Sequence, residues 1–174
     1  MWRSLIEFTI KGKPKALKRH RSTRTGRMYD PSAKDKKQIW LQIAQFKPKT
    51  PLAGDIMLKL IFTMPRPKSH YRTGKFKHLL KDGYEDIINH TFTPDLDNLV
   101  KMICDTIQGK DRMICDDSQI CRLQAEKLYG ETPMTEVIIE ELSWLYQGKT
   151  LPCMRIAAVW SRSLRSQRHG RCYY

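Results

Sequence analysis

The strictest constraint on the fold lies in residues 55–64, where apolar side chains recur at every second position. An alternation of this period is typical of a strand that buries one face. Gly54 precedes the run and Pro65 ends it, as expected at the borders of a strand. The predicted buried face consists of Ile56, Leu58, Leu60, Phe62 and Met64.

A second period, of about 3.6 residues per turn, appears in residues 96–107 and predicts an amphipathic helix. The apolar side chains of this segment fall within an arc of about 100° on the helix surface. Gly109 is placed to end the helix. The apolar stripe comprises Leu96, Leu99, Val100, Ile103 and Ile107.

The segments before and after these two complete an alternating pattern. Residues 4–10 predict a strand with Phe8 and Ile10 on one face. Residues 32–35, Ser-Ala-Lys-Asp, match a capping box and predict the start of a helix that ends at Lys47-Pro48. The apolar stripe of that helix is Ile39, Trp40, Ile43 and Phe46.

Two further strands are predicted at residues 119–129 and 135–142. Residues 66–93 are polar and form a predicted insertion, with a short helix near 74–81. The order β-α-β-insertion-α-β-β predicts an α/β protein, a small mixed-sheet α+β domain over residues 1–142. Residues 143–174 are predicted to be a basic extension, frayed or disordered.

Charge is distributed unevenly along the chain, whose formal net charge is +14. Residues 11–37 carry a net charge of +9 and residues 143–174 carry +6, whereas residues 82–117 hold nine of the eighteen acidic side chains. Basic flanks around an acidic centre indicate a protein that grips nucleic acid around a metal site. The alternative for each basic run is a solvated, non-specific surface.

The acidic centre is concentrated at the start of the predicted helix 96–107. Asp95 lies at the helix entry, and Asp97, Lys101 and Asp105 step by four residues along an exposed stripe. Asp116 and Asp117 (one acidic pair) precede the next predicted strand, and a short turn would bring them back beside the helix. Carboxylate oxygens gathered in this way suit Mg²⁺ or Mn²⁺.

Each of these residues also has a purely structural interpretation. Asp95 could serve only as an N-cap, Asp97 only as a first-turn acid, and Asp97–Lys101 only as an ion pair. That interpretation leaves Asp116 and Asp117 unexplained. Phosphodiester hydrolysis, in contrast, needs carboxylates that hold a metal and a lysine that stabilises developing negative charge.

At these residues the chain resembles the RusA family of Holliday junction resolvases. The resemblance rests on Pro94-Asp95-Leu96-Asp97-Asn98-Leu99-x-Lys101, then Asp105, then Asp116-Asp117-Ser118-Gln119-Ile120 and a later Lys127. It implies a Mg²⁺-dependent endonuclease (Mn²⁺ may substitute) that acts as a homodimer. Such enzymes make paired nicks in four-way DNA junctions during recombination and repair.

The resemblance also implies roles for individual residues. Asp95, Asp97 and Asp117 would bind the metal, with Asp116 as a neighbouring support and Lys101 as the catalytic lysine. Asp105 would be structural, or would support the metal ligands without binding the metal. The predicted DNA grip lies in the basic loop and consists of Lys15, Lys18, Arg19, Arg21, Arg24 and Arg27.

Two alternatives remain open from the sequence. One is a nuclease for flaps, forks or other branched DNA, and the other is a basic nucleic-acid-binding protein without catalysis. No apolar run approaches the length of a membrane span, and Glu7 interrupts the only apolar stretch at the N-terminus. A cytoplasmic protein without a membrane partner is therefore expected.

Overall fold

The computed structural model describes residues 5–142, and within that range the main elements follow the predicted order, with two short strands added in the basic loop that the sequence did not predict. The predicted basic extension, residues 143–174, lies outside the described residues. The strands are β1 (Leu5–Lys11), β2 (Arg21–Ser22), β3 (Met28–Tyr29), β4 (Asp55–Pro65), β5 (Ile120–Gly130) and β6 (Met134–Leu142). The helices are α1 (Ala33–Ile43) and α2 (Leu96–Ile107).

Four of the strands form one mixed sheet in the order β1-β6-β4-β5. Strand β6 runs antiparallel to β1 and β4, whereas β5 runs parallel to β4. The predicted inward face of β4 is buried along its whole length and packs with the apolar stripes of α1 and α2 in a single core. The small mixed-sheet α+β fold predicted from the sequence is confirmed.

The unit β4-α2-β5 determines where the acidic residues lie. Parallel neighbouring strands need a crossover connection, so α2 runs back against the direction of both strands. The ammonium of Lys127, near the end of β5, contacts the carbonyl of Pro94 just before α2. The backbone N–H of Asp117, just before β5, donates to Gln108 just after α2. The start of α2 therefore lies at the carboxyl ends of the two strands.

Helix α1 begins at the predicted position, but the predicted capping box is wrong. Ser32 occupies the N-cap without a side-chain capping bond. Its hydroxyl instead accepts a hydrogen bond of 2.9 Å from the backbone N–H of Lys18, in the basic loop that crosses the start of the helix. Burial of Ser32 under that loop gives its oxygen a competing donor, which the local pattern could not reveal.

The short helix predicted near residues 74–81 is also wrong, since only the 3₁₀ turn Gly74–Phe76 forms there. The two sides of the loop bond to each other instead. The N–H of Arg72 donates to the carbonyl of Leu79, and the N–H of Lys81 donates to that of His70, both at 2.9 Å. Among the described helices, none is long and apolar enough to span a membrane.

Candidate active site

Asp95 occupies the N-cap of α2 without using its side chain as a cap. Its backbone is extended, with φ −68° and ψ 143°, and its carbonyl accepts the first helical bond from the N–H of Leu99 at 3.2 Å. The carboxylate makes no capping hydrogen bond, and the side chain is exposed. The simple N-cap interpretation of Asp95 thus lacks its defining contact, and the carboxylate is available to a ligand.

Asp97 and Lys101 lie one turn apart on the exposed surface of α2. The Nζ atom of Lys101 is 3.3 Å from Oδ2 of Asp97, and both side chains are 61% exposed. An exposed helical pair of this kind contributes only a few tenths of a kcal/mol to stability. The ion pair therefore adds little to stability, and each of the two side chains can leave the other to bind a charged ligand.

Lys127 fixes the loop that leads into Asp95. Its Nζ atom donates to the carbonyl of Phe92 at 2.6 Å and to that of Pro94 at 2.7 Å. Charge-assisted bonds to two carbonyls of one loop hold its backbone in place. Lys127 is part of the motif that resembles the family, but its positioning role could not be predicted from the sequence. The reason is that its two partners, Phe92 and Pro94, lie more than thirty residues away along the chain.

Asp116 has a structural duty that the metal-site prediction did not include. Its carboxylate accepts the N–H of Ser118 at 3.0 Å, and Gln119 Oε1 accepts the N–H of Asp116 at 2.9 Å, which together form a capping box. The hydrogen bond from Ser118 holds the pKa of Asp116 below its usual value. The spacing Asp-x-x-Gln is itself a capping-box signal that sequence reasoning missed.

The amide of Gln119 extends this anchor to the sheet. Its Nε2 atom donates to the carbonyls of Leu52 and Gly54, at 3.1 and 2.9 Å, just before β4. Asp117 itself is exposed. Its charge is felt by Cys104 on α2, since burial first and then Asp117 and Asp105 raise the pKa of that thiol to about 11.

The predicted metal ligands do not gather within one chain. Helix α2 has 12 residues, a length of about 18 Å, with Asp95 before its first residue and Asp117 bonded beside its end. Within residues 5–142, no group of three or more His, Cys, Asp or Glu side chains is close enough to hold a metal ion. The turn does return Asp116 and Asp117 to the helix, but at the wrong end for a shared site.

Asp95 and Asp97 nevertheless fit a hard divalent cation by their chemistry. Mg²⁺ is usually held through one or two carboxylates, and water and phosphate oxygens complete its coordination. Both carboxylates are exposed, and they lie two residues apart at a helix N-terminus. The start of α2 therefore offers two carboxylates of the kind that bind such an ion.

Asp105, on the same helix, is held in an ion-pair network. The ammonium of Lys36 on α1 bridges Asp30 Oδ2 at 2.9 Å and Asp105 Oδ2 at 2.8 Å. Burial lowers the pKa of Lys36, but the hydrogen bonds to Asp105 and Asp30 outweigh this and raise it overall. The Lys36 hydrogen bond is the main cause of the lowered pKa of Asp30. This triad joins α1, α2 and the basic loop.

The predicted DNA-binding residues divide into two groups. Lys15 is held by Asp35 at 2.6 Å and by Gln38 at 3.0 Å, and Lys18 lies 3.9 Å from Asp35. The other four make no ion pair with another residue of the range 5–142 and are exposed around the β2–β3 hairpin. They are Arg19, Arg21, Arg24 and Arg27.

The basic loop is bonded directly to the helix that carries the acidic residues. The backbone N–H of Leu17 donates to the carbonyl of Asn98, in the first turn of α2, at 2.9 Å. The segment that leads to the four arginines is therefore anchored at the first turn of α2, which carries Asp97. The basic loop and the exposed carboxylates are thus joined in one part of the fold, and a polyanion bound with a metal ion needs both kinds of charge.

Comparison with known proteins agrees with this chemistry. Residues 11–140 match the family described as "Endodeoxyribonuclease RusA". The chain is also 34% identical over 143 residues to the "Uncharacterized protein YqaN" of Bacillus subtilis (strain 168), which covers 79% of this chain and 97% of that protein. The family match includes both helices and every candidate site residue. This chain belongs to the RusA family of endodeoxyribonucleases.

Proposed function

We propose that this protein is a Mg²⁺-dependent endonuclease that resolves four-way DNA junctions by paired nicks, in recombination and repair. The observation that carries the proposal is the pair of exposed carboxylates, Asp95 and Asp97, at the start of α2 beside Lys101. Membership in a family of endodeoxyribonucleases supports the reaction class. The free arginines of the hairpin support a nucleic-acid substrate.

In this proposal Asp95 and Asp97 hold Mg²⁺, for which Mn²⁺ may substitute. A divalent ion held there would supply positive charge for the phosphate and would lower the pKa of a coordinated water. Lys101 then exchanges Asp97 for the scissile phosphate and stabilises the negative charge that develops on the leaving oxygen. Lys127 keeps the loop before Asp95 fixed, so that the carboxylate does not need to be ordered when DNA binds.

The proposal assigns Asp117 to the site through a second copy of the chain. Mg²⁺–oxygen bonds are about 2.1 Å long, so Asp95 and Asp117 at opposite ends of α2 in one chain are too far apart to share an ion. In a two-fold homodimer, each start of α2 is free to meet Asp117 of the partner subunit. The same symmetry places two sites on the two strands of a junction.

Cleavage of synthetic DNA tests the function. Purified protein is incubated with a labelled four-way junction, a flap, a fork and a linear duplex, in Mg²⁺ or in EDTA. We expect paired nicks in the junction only, and only with Mg²⁺. Equal cleavage of flaps or forks would replace junction resolution with a broader branched-DNA nuclease, and tight binding without any cleavage would leave a binding protein.

Asp95→Asn tests the site within the same assay. We expect a loss of cleavage of at least about 10²-fold, because a ligand to the metal is removed, with DNA binding retained. Asp111→Asn is the matched control, since that side chain is 88% exposed beyond the end of α2 and lies 3.9 Å from its nearest cation. If the two variants cleave alike, the carboxylate at the start of α2 is not part of the site.

A further inference from the structure

Phe92 stands out among the exposed apolar side chains because of where its backbone is held. Its ring is 67% exposed, although single exposed apolar side chains are common and carry no conclusion by themselves. The ring lies three residues before Asp95. Three residues of extended chain span at most about 10 Å, so Phe92 is a near neighbour of the proposed metal site.

The loop that presents Phe92 is rigidly attached to β5. The N–H of His90 donates to the carbonyl of Lys127 at 2.9 Å, and Lys127 Nζ in turn binds the carbonyl of Phe92 at 2.6 Å. The imidazole of His90 lies against the ring of Tyr129, with 4.7 Å between centroids. The His90 ring also meets Phe92 edge-on at 6.3 Å. Phe92 is thus oriented in advance, with most of its side chain exposed to solvent.

Basic side chains lie close to this aromatic ring. Lys127 Nζ is bonded to the carbonyl of Phe92, and burial first and then the charges of Lys127 and Lys13 lower the pKa of His90, whose ring meets Phe92. An exposed, pre-oriented aromatic ring within a basic surface is the arrangement on which proteins stack nucleic-acid bases. In a continuous duplex the bases are already stacked, so a ring has access only after unstacking. At a branch point that obstacle is smallest.

We infer that Phe92 stacks on a base at the branch point, next to the proposed metal site of Asp95 and Asp97, and thereby selects branched over linear DNA. This inference rests on the proposed function and adds the residue that recognises DNA structure. The hairpin arginines provide affinity for any phosphate backbone, whereas Phe92 provides a contact that only an opened base offers.

Binding measured in EDTA tests the inference without any dependence on cleavage. The full-length wild type, Phe92→Ala, Phe92→Trp and Phe76→Ala are titrated with a four-way junction and with a linear duplex across a range of salt. We expect Phe92→Ala to bind the junction about 5- to 150-fold more weakly, with duplex affinity unchanged. The salt dependence of binding should stay the same, because no phosphate contact is lost.

Two variants keep the result interpretable. Phe76→Ala removes a ring that is 58% exposed in the same insertion and should leave junction selectivity unchanged. Phe92→Trp should retain selectivity, and its added indole fluorescence, taken relative to wild type, should fall when the junction binds but not when the duplex binds. Circular dichroism confirms that each variant is folded before titration, and Phe92→Leu replaces Phe92→Ala should the latter unfold.

Several outcomes would overturn the inference. Selectivity that persists in folded Phe92→Ala or Phe92→Leu, or an equal loss for junction and duplex, would exclude base stacking at the branch point. Loss of the dimer in sedimentation of Phe92→Ala would assign the ring to a contact between copies. If the wild type selects the junction through Phe92 but shows no Mg²⁺-dependent cleavage, the proposed function would be contradicted and the role of Phe92 would remain supported.

Discussion

The two ends of helix α2 use their carboxylates differently. At the start, Asp95 and Asp97 are exposed, and the N-cap position is filled without a side-chain bond. Beyond the end, Asp116 is held in a capping box, and that contact lowers its pKa. The difference shows that acidic residues in one motif divide between building the fold and remaining free for a ligand, and only the contacts reveal which is which.

Lys101→Met removes the cation at the start of α2, and we expect it to have the largest effect on cleavage of these substitutions. We expect cleavage to fall about 10²- to 10³-fold, because one charge that stabilises the transition state is lost. The melting temperature should hardly change, since the Asp97–Lys101 pair is largely exposed. Lys110→Met, just past the end of α2, is the control for loss of one exposed charge. Similar cleavage by both variants would exclude a catalytic role for Lys101.

Asp105→Asn tests a carboxylate in the second half of the same helix, where we expect a contribution to stability and none to cleavage. Lys36 would keep Asp30 but lose Asp105, in a pair whose side chains are only 21% and 30% exposed. We expect a loss of about 1–2 kcal/mol in the free energy of unfolding, with cleavage unchanged well below the melting temperature. Thermal unfolding followed by circular dichroism measures the first, and the junction assay measures the second. Loss of cleavage in a stably folded variant would put Asp105 in the active site.

Acid should lower the free energy of unfolding gradually, by protonating the structural carboxylates of Asp30 and Asp116. The pKa of Asp30 is lowered mainly by Lys36, and that of Asp116 by Ser118, from a usual value of 3.8. A carboxylate with a lowered folded pKa adds stability above its unfolded pKa and loses it as the pH falls through the folded value. The free energy of unfolding should therefore be flat near neutrality and decline below about pH 4.

Urea titrations between pH 2 and 7 measure this decline. Lys36→Met should make it shallower, since Asp30 then loses the cation that lowers its pKa. An unchanged slope in that variant would mean that the Asp30–Lys36 pair does not contribute to the acid response.

Periodicity alone predicted the elements that build the core. The alternation in β4 and the stripe in α2 each depend on one segment and on burial, so the sequence contains all the information they need. The hydrogen bond that Ser32 accepts from Lys18 in place of a cap could not be predicted, because Lys18 belongs to a loop that folds over the helix start. The anchor of Lys127 on Pro94 is similarly non-local.

The separation of Asp95 from Asp117 follows from topology. Both residues flank α2 in the sequence, and their proximity along the chain suggested proximity in space. Because β4 and β5 are parallel, a helix that joins them must begin near the carboxyl ends of these strands and end near their amino ends. The parallel pairing of β4 with β5 could not be predicted from the sequence, and the position of Asp117 at the end of α2 could therefore not be predicted.

Subunit mixing tests most directly whether the two ends of α2 act together across two chains. Asp95→Asn and Asp117→Asn are each expected to be inactive alone. After unfolding and refolding as a mixture, one site in each mixed dimer would combine an intact Asp95 with an intact Asp117 of the partner subunit. We expect Mg²⁺-dependent nicking of the junction to return, on one strand per dimer. No recovery in mixtures shown to contain mixed dimers would contradict it.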